Sequence, residues 1–190
     1  MQHVLTPFAR KIEPFAWWKD AFNEQELSWL QQKAREATDA GKTGAGVDRN
    51  YRRSEVNWLN KDSDCSWVFE RLADVVSNLN ASYYGFDLTG FGEPLQLSNY
   101  HEGNQGTYKL HQDLTSEGAS RKLSVVLQLS DPVDYEGGNL QLLLSKEPVN
   151  MSKNRGSIVV FPTWTLHQVT PVTKGTRQSL VSWVTGPPFK

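Results

Sequence analysis

One carboxylate and two imidazoles in the second half of the chain have the types and spacing of a metal site. His111 and Asp113 are two residues apart in a segment that alternates like a β-strand, so both side chains are expected on one face. His167 follows 54 residues after Asp113, in a second predicted strand. Two histidines and a carboxylate leave one face of a metal ion open, as in non-haem iron(II) oxygenases. An HxD triplet also arises by chance, so it does not establish a site by itself.

Arg177, ten residues after His167 and beyond a turn predicted at Pro171–Gly175, adds a second kind of group. Its planar, permanently charged guanidinium suits the distal carboxylate of a dicarboxylate co-substrate. Alternation in the run RQSLVSWV puts Arg177 and Ser179 on one strand face. An inward arginine there would be costly to bury without an anionic partner. The alternative is an ordinary surface arginine beside a turn.

The elements that must position these groups change character at about residue 94. Before it, Asn23 and Glu26 resemble a capping box for a helix over roughly 24–39. An apolar stripe predicts a second helix that starts near Asp62 or Ser63. The stripe consists of Cys65, Val68, Phe69, Leu72, Val75, Val76 and Leu79. The segment from Gly41 to Arg53, with three glycines and three arginines, is open to two interpretations, a mobile lid or a solvated loop.

From about residue 94 the period of the sequence becomes two. Short strands separated by Gly, Pro, Asn and Asp are predicted at 95–101, 107–113, 122–130, 139–144, 156–161, 165–169 and 177–184. Such a succession predicts an antiparallel sandwich or barrel. No repeat or linker divides the 190 residues, so we expect one domain, with helical support over about 1–93 and a barrel core over about 94–186.

Composition narrows the class of function. The net charge of -1 gives no overall attraction to nucleic acid or to an anionic membrane. No apolar run is long enough to span a bilayer. Cys65 is the only cysteine, which excludes an intrachain disulfide and a Cys-rich zinc site. The N-terminal residues lack the features of a secretory signal, and a soluble, cytoplasmic protein is therefore expected.

Three runs of sequence together carry a family resemblance. They are YHEGNQGTYKLHQD, RKLSVVLQLSDPVDYEGGNLQL and GSIVVFPTWTLHQVTPVTKGTRQSLVSWVTGP. They resemble the prolyl 4-hydroxylase branch of the Fe(II)- and 2-oxoglutarate-dependent oxygenases, and their residue pattern is most similar to that of the PKHD-type hydroxylases. The resemblance covers roughly residues 94–186. It implies a double-stranded β-helix, which is a jelly-roll barrel with helices packed on its outside.

The resemblance also implies roles for individual residues. His111, Asp113 and His167 match the iron ligands, and Arg177 matches the basic residue that pairs with the C5 carboxylate of 2-oxoglutarate. Other positions match the co-substrate and the substrate sides of the pocket. Tyr100 and Gln128 belong to the co-substrate side, where Ser179 is expected beside Arg177 on the same strand face. Tyr108, Arg121 and Trp183 belong to the substrate side. Gln128 departs from the tyrosine of some prolyl hydroxylases, although an amide could donate the same hydrogen bond.

The implied activity is hydroxylation of a C–H bond, coupled to oxidation of 2-oxoglutarate to succinate and carbon dioxide. Its cofactors would be Fe(II) and 2-oxoglutarate, and a requirement for ascorbate stays open. Asp113 favours hydroxylation, because related halogenases have a small residue at that position. By family analogy the first choice of substrate is a prolyl residue in a peptide or protein, followed by free proline or another small molecule.

Other functions stay open at this point. A hydrolase or isomerase could hold zinc or manganese in the same ligands, and Arg177 would then have no co-substrate to bind. A non-enzymatic barrel could recognise a sugar or a peptide. An oxygenase acting on nucleic acid is disfavoured by the near-neutral charge and the lack of a basic stripe.

Overall fold

The computed structural model describes residues 12–43, 46–62, 64–114 and 121–188, which form fourteen strands and two α-helices. The strands are Ala16–Trp18 (β1), Asp39–Ala40 (β2), Arg52–Arg53 (β3), Glu55–Leu59 (β4), Gly90–Phe91 (β5), Leu95–His101 (β6), Thr107–His111 (β7), Arg121–Gln128 (β8), Tyr135–Gly137 (β9), Leu140–Leu142 (β10), Val149–Asn150 (β11), Ile158–Pro162 (β12), His167–Val169 (β13) and Val172–Thr185 (β14). The helices are Glu24–Arg35 (α1) and Ser66–Leu79 (α2), and a π-helical turn, Asn80–Tyr84, continues α2.

Two antiparallel sheets form the barrel. The larger sheet has the order β1-β12-β8-β14-β6-β4-β2, with β5 and β9 also paired to β14. The smaller sheet has the order β11-β10-β13-β7-β3. Apolar side chains from both sheets, among them Val126 and Phe161 from the larger and Leu140 and Leu142 from the smaller, form one buried cluster between them. The mainly β, jelly-roll architecture expected from the sequence is therefore confirmed.

Helix α1 begins where its capping residues predict. The side chain of Asn23 accepts the backbone N–H of Glu26 at 2.9 Å, and the Glu26 carboxylate accepts the N–H of Asn23 at 2.9 Å. The prediction that the helix reaches residue 39 is wrong, because it ends at Arg35. Asp39 and Ala40 are extended instead and pair with β4, since a sheet edge offers their backbone groups partners.

Helix α2 covers the outer face of the larger sheet with the predicted stripe, and all seven residues of that stripe are buried. The helix starts at Ser66, later than predicted. The side chain of Asp62 accepts the backbone N–H groups of Asp64 and Cys65, so a turn precedes the helix. Ser63, the other predicted start, lies outside the described residues.

The strand predictions differ from the structure mainly at strand ends. The strand at 95–101 has the predicted bounds, whereas β7 ends at His111 and leaves Asp113 beyond it. The turn predicted at Pro171–Gly175 is wrong, because β14 starts at Val172 and pairs with β9 before it enters the larger sheet. Gly175 permits this path. Its φ is +70°, and a Cβ there would overlap the carbonyl oxygen of Asp134.

The first half of the chain contributes more than helical support. Strands β1 to β5 all belong to it and join both sheets. Each has only two to five residues, which is too short for a period-two pattern to be recognised. Arg52 and Arg53 at the end of the segment considered as a lid form β3, whereas Gly44 within it lies outside the described residues. Neither α-helix in the described ranges is long and apolar enough to cross a bilayer.

The contact between α2 and the larger sheet predicts a measurable stability difference. Leu72 is fully buried at 0 % exposure, and we expect Leu72→Ala to lower the free energy of unfolding by about 2–5 kcal/mol, because it removes apolar contacts and leaves a cavity. Val133→Ala is the control, since Val133 is 86 % exposed and its truncation should change that free energy by less than about 0.5 kcal/mol. Urea denaturation measures both, and equal effects would contradict this packing.

Candidate active site

Two histidines face each other across the smaller sheet. In the pairing of β7 with β13, His111 and His167 are directly opposed, and their ring centroids are 4.1 Å apart. Nδ1 of His111 lies 2.7 Å from the carbonyl oxygen of Lys109, and Nδ1 of His167 lies 2.9 Å from that of Thr165. These carbonyls can only accept, so Nδ1 carries the proton in each neutral ring and the lone pair of Nε2 is free.

Asp113 completes the group from a position beyond the end of β7. Its backbone N–H donates to the carbonyl of Thr163 at 3.0 Å, and this bond, rather than strand alternation, sets its position. Oδ1 lies 3.8 Å from Nε2 of His111, and Oδ2 lies 3.5 Å from Nε2 of His167. The hydroxyl of Ser124 donates to Oδ2 at 2.6 Å. The prediction that Asp113 lies within the strand is wrong, but the three side chains converge.

Burial sets the protonation of these groups. It lowers the pKa of His111 to about 4, aided by the neighbouring His167 and opposed by Asp113. Burial also acts to raise the pKa of Asp113, but the imidazoles of His167 and His111 and the hydroxyl of Ser124 outweigh it and hold the pKa below its usual value. At neutral pH the site therefore contains a neutral His111 imidazole and an ionised carboxylate.

This set of donor atoms fits a divalent transition metal. One ligand atom from each of His111, Asp113 and His167 lies within 4.8 Å of the others. Two imidazole nitrogens and one carboxylate oxygen suit Fe(II), and three protein ligands leave further coordination positions for exogenous groups. The hydrogen bonds to the remaining atoms of each side chain hold the free donor atoms toward a common point.

Strand β14 brings the predicted co-substrate residues together at the inner face of the larger sheet. Arg177 is opposite Tyr100 on β6, and Ser179 is opposite Gln128 on β8. Arg177 is only 2 % exposed, and it donates to the Ser179 hydroxyl and to the Gln128 side-chain oxygen, both at 3.1 Å. Its guanidinium carbon lies 5.4 Å from the Tyr100 ring centroid. Within the described ranges, no carboxylate forms an ion pair with Arg177, which leaves its charge for an anionic ligand.

Tyr135 is a member of this network that sequence reasoning missed. The side-chain amide of Gln128 donates to the Tyr135 hydroxyl at 2.7 Å, so this amide is directed at a neighbouring side chain. Burial raises the pKa of Tyr135, although the nearby Arg177 acts to lower it. Position 135 follows a loop, where one tyrosine carries no periodic signal that could have identified it.

A cavity of about 720 Å³ joins the two groups of residues. The metal triad, Arg177, Ser179 and Tyr100 line it, together with the predicted substrate residues Tyr108, Arg121 and Trp183. Gln128 is absent from the described residues that line this cavity. The volume of the cavity is in the range of small-molecule sites, roughly 300–1,000 Å³.

The substrate side of the cavity has an ordered aromatic and charged wall. The guanidinium of Arg121 lies 3.9 Å above the Trp183 ring, and its Nε and Nη2 both donate to the carboxylate of Glu93 at 2.6 Å. The Tyr108 ring stacks on His111 with centroids 3.6 Å apart. Glu93 was missed because nothing in its sequence context distinguishes it from a surface glutamate.

Comparison with known proteins agrees with this geometry. Residues 95–185 match the model of the 2OG-Fe(II) oxygenase superfamily. A PKHD-type hydroxylase from a Shewanella species (strain ANA-3) is 30% identical over 176 residues, which cover 87% of this chain and 75% of that protein. The chain belongs to the PKHD-type branch of the Fe(II)- and 2-oxoglutarate-dependent oxygenases. A second such hydroxylase, from Cupriavidus metallidurans, is 28% identical over 172 residues, with coverages of 85% and 74%.

Solved structures share the fold of this oxygenase. A Pseudomonas putida prolyl-4-hydroxylase superposes with a TM-score of 0.73 at 18% identity, over 92% of this chain and 94% of that one. A Trichoplax adhaerens prolyl hydroxylase, in complex with a hypoxia-inducible factor peptide fragment, gives 0.77 at 16% identity, with coverages of 91% and 84%. Membership of the family implies Fe(II) and 2-oxoglutarate as cofactors, and the donor set fits the metal.

Ser124 orients the carboxylate of the triad, and its removal tests that role in this oxygenase. We expect Ser124→Ala to weaken Fe(II) binding about 10- to 100-fold, because Asp113 loses the hydrogen bond that directs Oδ2. Anaerobic equilibrium dialysis measures the affinity.

Ser182 is the matched control for that substitution. It is buried at 1 % exposure, and its hydroxyl has no hydrogen-bond partner among the described residues. Ser182→Ala should leave Fe(II) affinity unchanged. If both variants bind Fe(II) like the wild type, Ser124 does not position the carboxylate.

Proposed function

We propose that this oxygenase hydroxylates a prolyl residue of a peptide or protein, with Fe(II) held by His111, Asp113 and His167. The observation that carries the proposal is the opposed pair of imidazoles completed by Asp113, in one cavity with a buried arginine that has no acidic partner in the described chain. Bound Fe(II) and 2-oxoglutarate would supply the oxidising power for insertion of one oxygen atom into a C–H bond.

The protein's own contribution on the co-substrate side is recognition of a dicarboxylate. Arg177 would pair with the distal carboxylate, while Ser179 and Gln128 hold the guanidinium in place through their oxygens. Tyr100 closes one side of the guanidinium with its ring. Because these groups are already hydrogen-bonded, little reorganisation is needed when the ligand enters.

On the substrate side, the wall would place the target carbon and exclude water. Trp183 and Tyr108 would contribute aromatic surface at the edge of the space for a pyrrolidine ring, because Arg121 covers one face of Trp183 and both His111 and Arg52 pack on the ring of Tyr108. The ion pair of Arg121 with Glu93 fixes the charged edge of that wall. A substrate that covers the cavity would keep solvent from the reactive centre.

The choice of a prolyl substrate rests on relatives. The two PKHD-type hydroxylases are similar over three quarters of their length, and both structural neighbours are prolyl hydroxylases, one of them bound to a peptide fragment. Free proline and other small molecules fit the same chemistry.

Arg177 gives a direct test of the co-substrate site. Anaerobic titration of the Fe(II)-loaded protein with 2-oxoglutarate should produce a weak visible charge-transfer band. For Arg177→Gln we expect the 2-oxoglutarate concentration that gives half of the full band to rise about 10- to 100-fold. A charge-assisted contact is lost in this variant, while Fe(II) binding stays intact. His111→Ala should produce no band.

Lys174→Gln is the control for Arg177, since Lys174 is on the same strand with its side chain 71% exposed. It removes an equal charge and should leave the titration unchanged. Unaltered 2-oxoglutarate affinity in Arg177→Gln would show that another group binds the distal carboxylate.

Substrate class is tested by turnover with a library of prolyl peptides, with and without ascorbate. We expect a prolyl peptide to gain one oxygen atom, seen by mass spectrometry, in step with succinate formation. The same peptide with 4,4-difluoroproline tests whether C4 is the hydroxylated carbon, because C4 then carries no hydrogen. Oxygen insertion only into free amino acids would contradict the peptide assignment and leave the oxygenase assignment intact.

A further inference from the structure

Arg52 is a second buried cation in the wall of the active-site cavity. It is 5 % exposed and lines the cavity. Its Nε donates to the Ser54 hydroxyl at 2.8 Å, and its Nη1 donates to the carbonyl of Lys42 at 3.0 Å. Nη2 is buried and has no hydrogen-bond partner in the described ranges, and no acidic side chain there forms an ion pair with Arg52. A buried cation in this state is costly unless an anion meets it.

The position of this guanidinium is fixed by the backbone around it. Arg52 on β3 is opposite Tyr108 on β7, and its guanidinium carbon lies 4.6 Å from the Tyr108 ring centroid. Tyr108 in turn stacks on His111, so a single ring separates the cation from the metal triad. Gly41 also packs closely against this group, because a Cβ on Gly41 would overlap the Ser54 hydroxyl that accepts the hydrogen bond from Nε. The cation–π contact stabilises the guanidinium but leaves its net charge uncompensated.

The charged side chains that line the cavity do not balance the positive charge of Arg52. The charged side chains that line it are Asp39, Lys42, Arg52, Glu93, Asp113, Arg121 and Arg177. Glu93 neutralises Arg121, and the exposed Asp39 and Lys42 are of opposite sign. A divalent ion and Arg177 would be balanced by Asp113 and the two negative charges of 2-oxoglutarate. Within the described residues one positive charge, that of Arg52, then has no counterpart.

We propose that Arg52 binds a single negative charge on the substrate, so that the substrate of this oxygenase carries a carboxylate close to the carbon that is hydroxylated. The inference rests on the proposed function and specifies its substrate class. A carboxylate matches the one unbalanced charge and accepts hydrogen bonds from the guanidinium edge that includes Nη2. The carboxylate belongs either to a C-terminal proline or to an acidic residue beside the proline.

The test compares pairs of probes that differ by one charge. One pair is N-acetyl-L-proline and N-acetyl-L-prolinamide, which places the charge on proline itself. Two further pairs are blocked tripeptides with Asp or Asn on either side of proline, which place it on a neighbour. Calorimetry under anaerobic conditions measures their binding to protein loaded with Fe(II) and 2-oxoglutarate, and the charge-transfer band is recorded on each sample.

We expect the acidic member of at least one pair to bind about tenfold or more tightly than its neutral partner. Arg52→Gln should bring that ratio close to one while the charge-transfer band persists. Arg52→Lys should retain part of the preference, because it keeps the charge. Arg53→Gln is the matched control and should keep the wild-type preference, since Arg53 is half-buried outside the cavity lining and binds the carbonyls of Asn104 and Gln105.

Each contrary result has one meaning. Equal binding of acid and amide by the wild type, or no binding of any acidic probe while the band forms, would overturn the role of Arg52 without need of a variant. An acid preference that survives in Arg52→Gln would overturn it as well. Absence of the band in the wild type would instead refute the proposed co-substrate chemistry.

Discussion

The cross-strand pairing of β7 with β13 is the constraint around which the site is arranged, because it places His111 directly opposite His167. Nδ1 of each ring donates a hydrogen bond to a backbone carbonyl, and the free Nε2 atoms face Asp113. A register shift of one residue would send one imidazole to the other face of the sheet. The candidate metal site is thus a property of sheet register, which strands β10 and β3 support from either side.

The larger sheet contributes the complementary half of the cavity. Strand β14 lies between β6 and β8, and its inward positions therefore meet polar side chains from both neighbours. Burial of Arg177 would be unfavourable in an apolar core, but the oxygens of Ser179 and Gln128 partly compensate for its lost hydration. The remaining positive charge would attract an anionic ligand to this depth of the barrel. The same burial that costs stability in the free protein therefore contributes to recognition.

The two sides of the cavity come from different kinds of structural element. Apart from Asp113, which lies beyond the end of β7, the candidate metal and co-substrate groups come from regular strands of the barrel, where hydrogen bonds and register fix their positions. The substrate wall also draws on the short strand β3, which contributes Arg52, and on Glu93 outside the strands. Loops and short edge strands tolerate substitution better than barrel strands do. Substitutions in the substrate wall would therefore disturb the metal and co-substrate groups less than substitutions in the barrel strands.

Sequence by itself determined the class of chemistry, both α-helices and the longer strands of the second half of this protein. The spacing of His111, Asp113, His167 and Arg177 indicated the oxygenase class, and the apolar stripe of α2 indicated a helix packed on a sheet. These features are visible because side-chain type and periodicity are local properties. The partners of Arg52 and the role of Ser124 required the tertiary structure, although a serine within the apolar run KLSVVLQL was a faint signal. Their environments depend on sheet register and on contacts between distant segments, which no local pattern encodes.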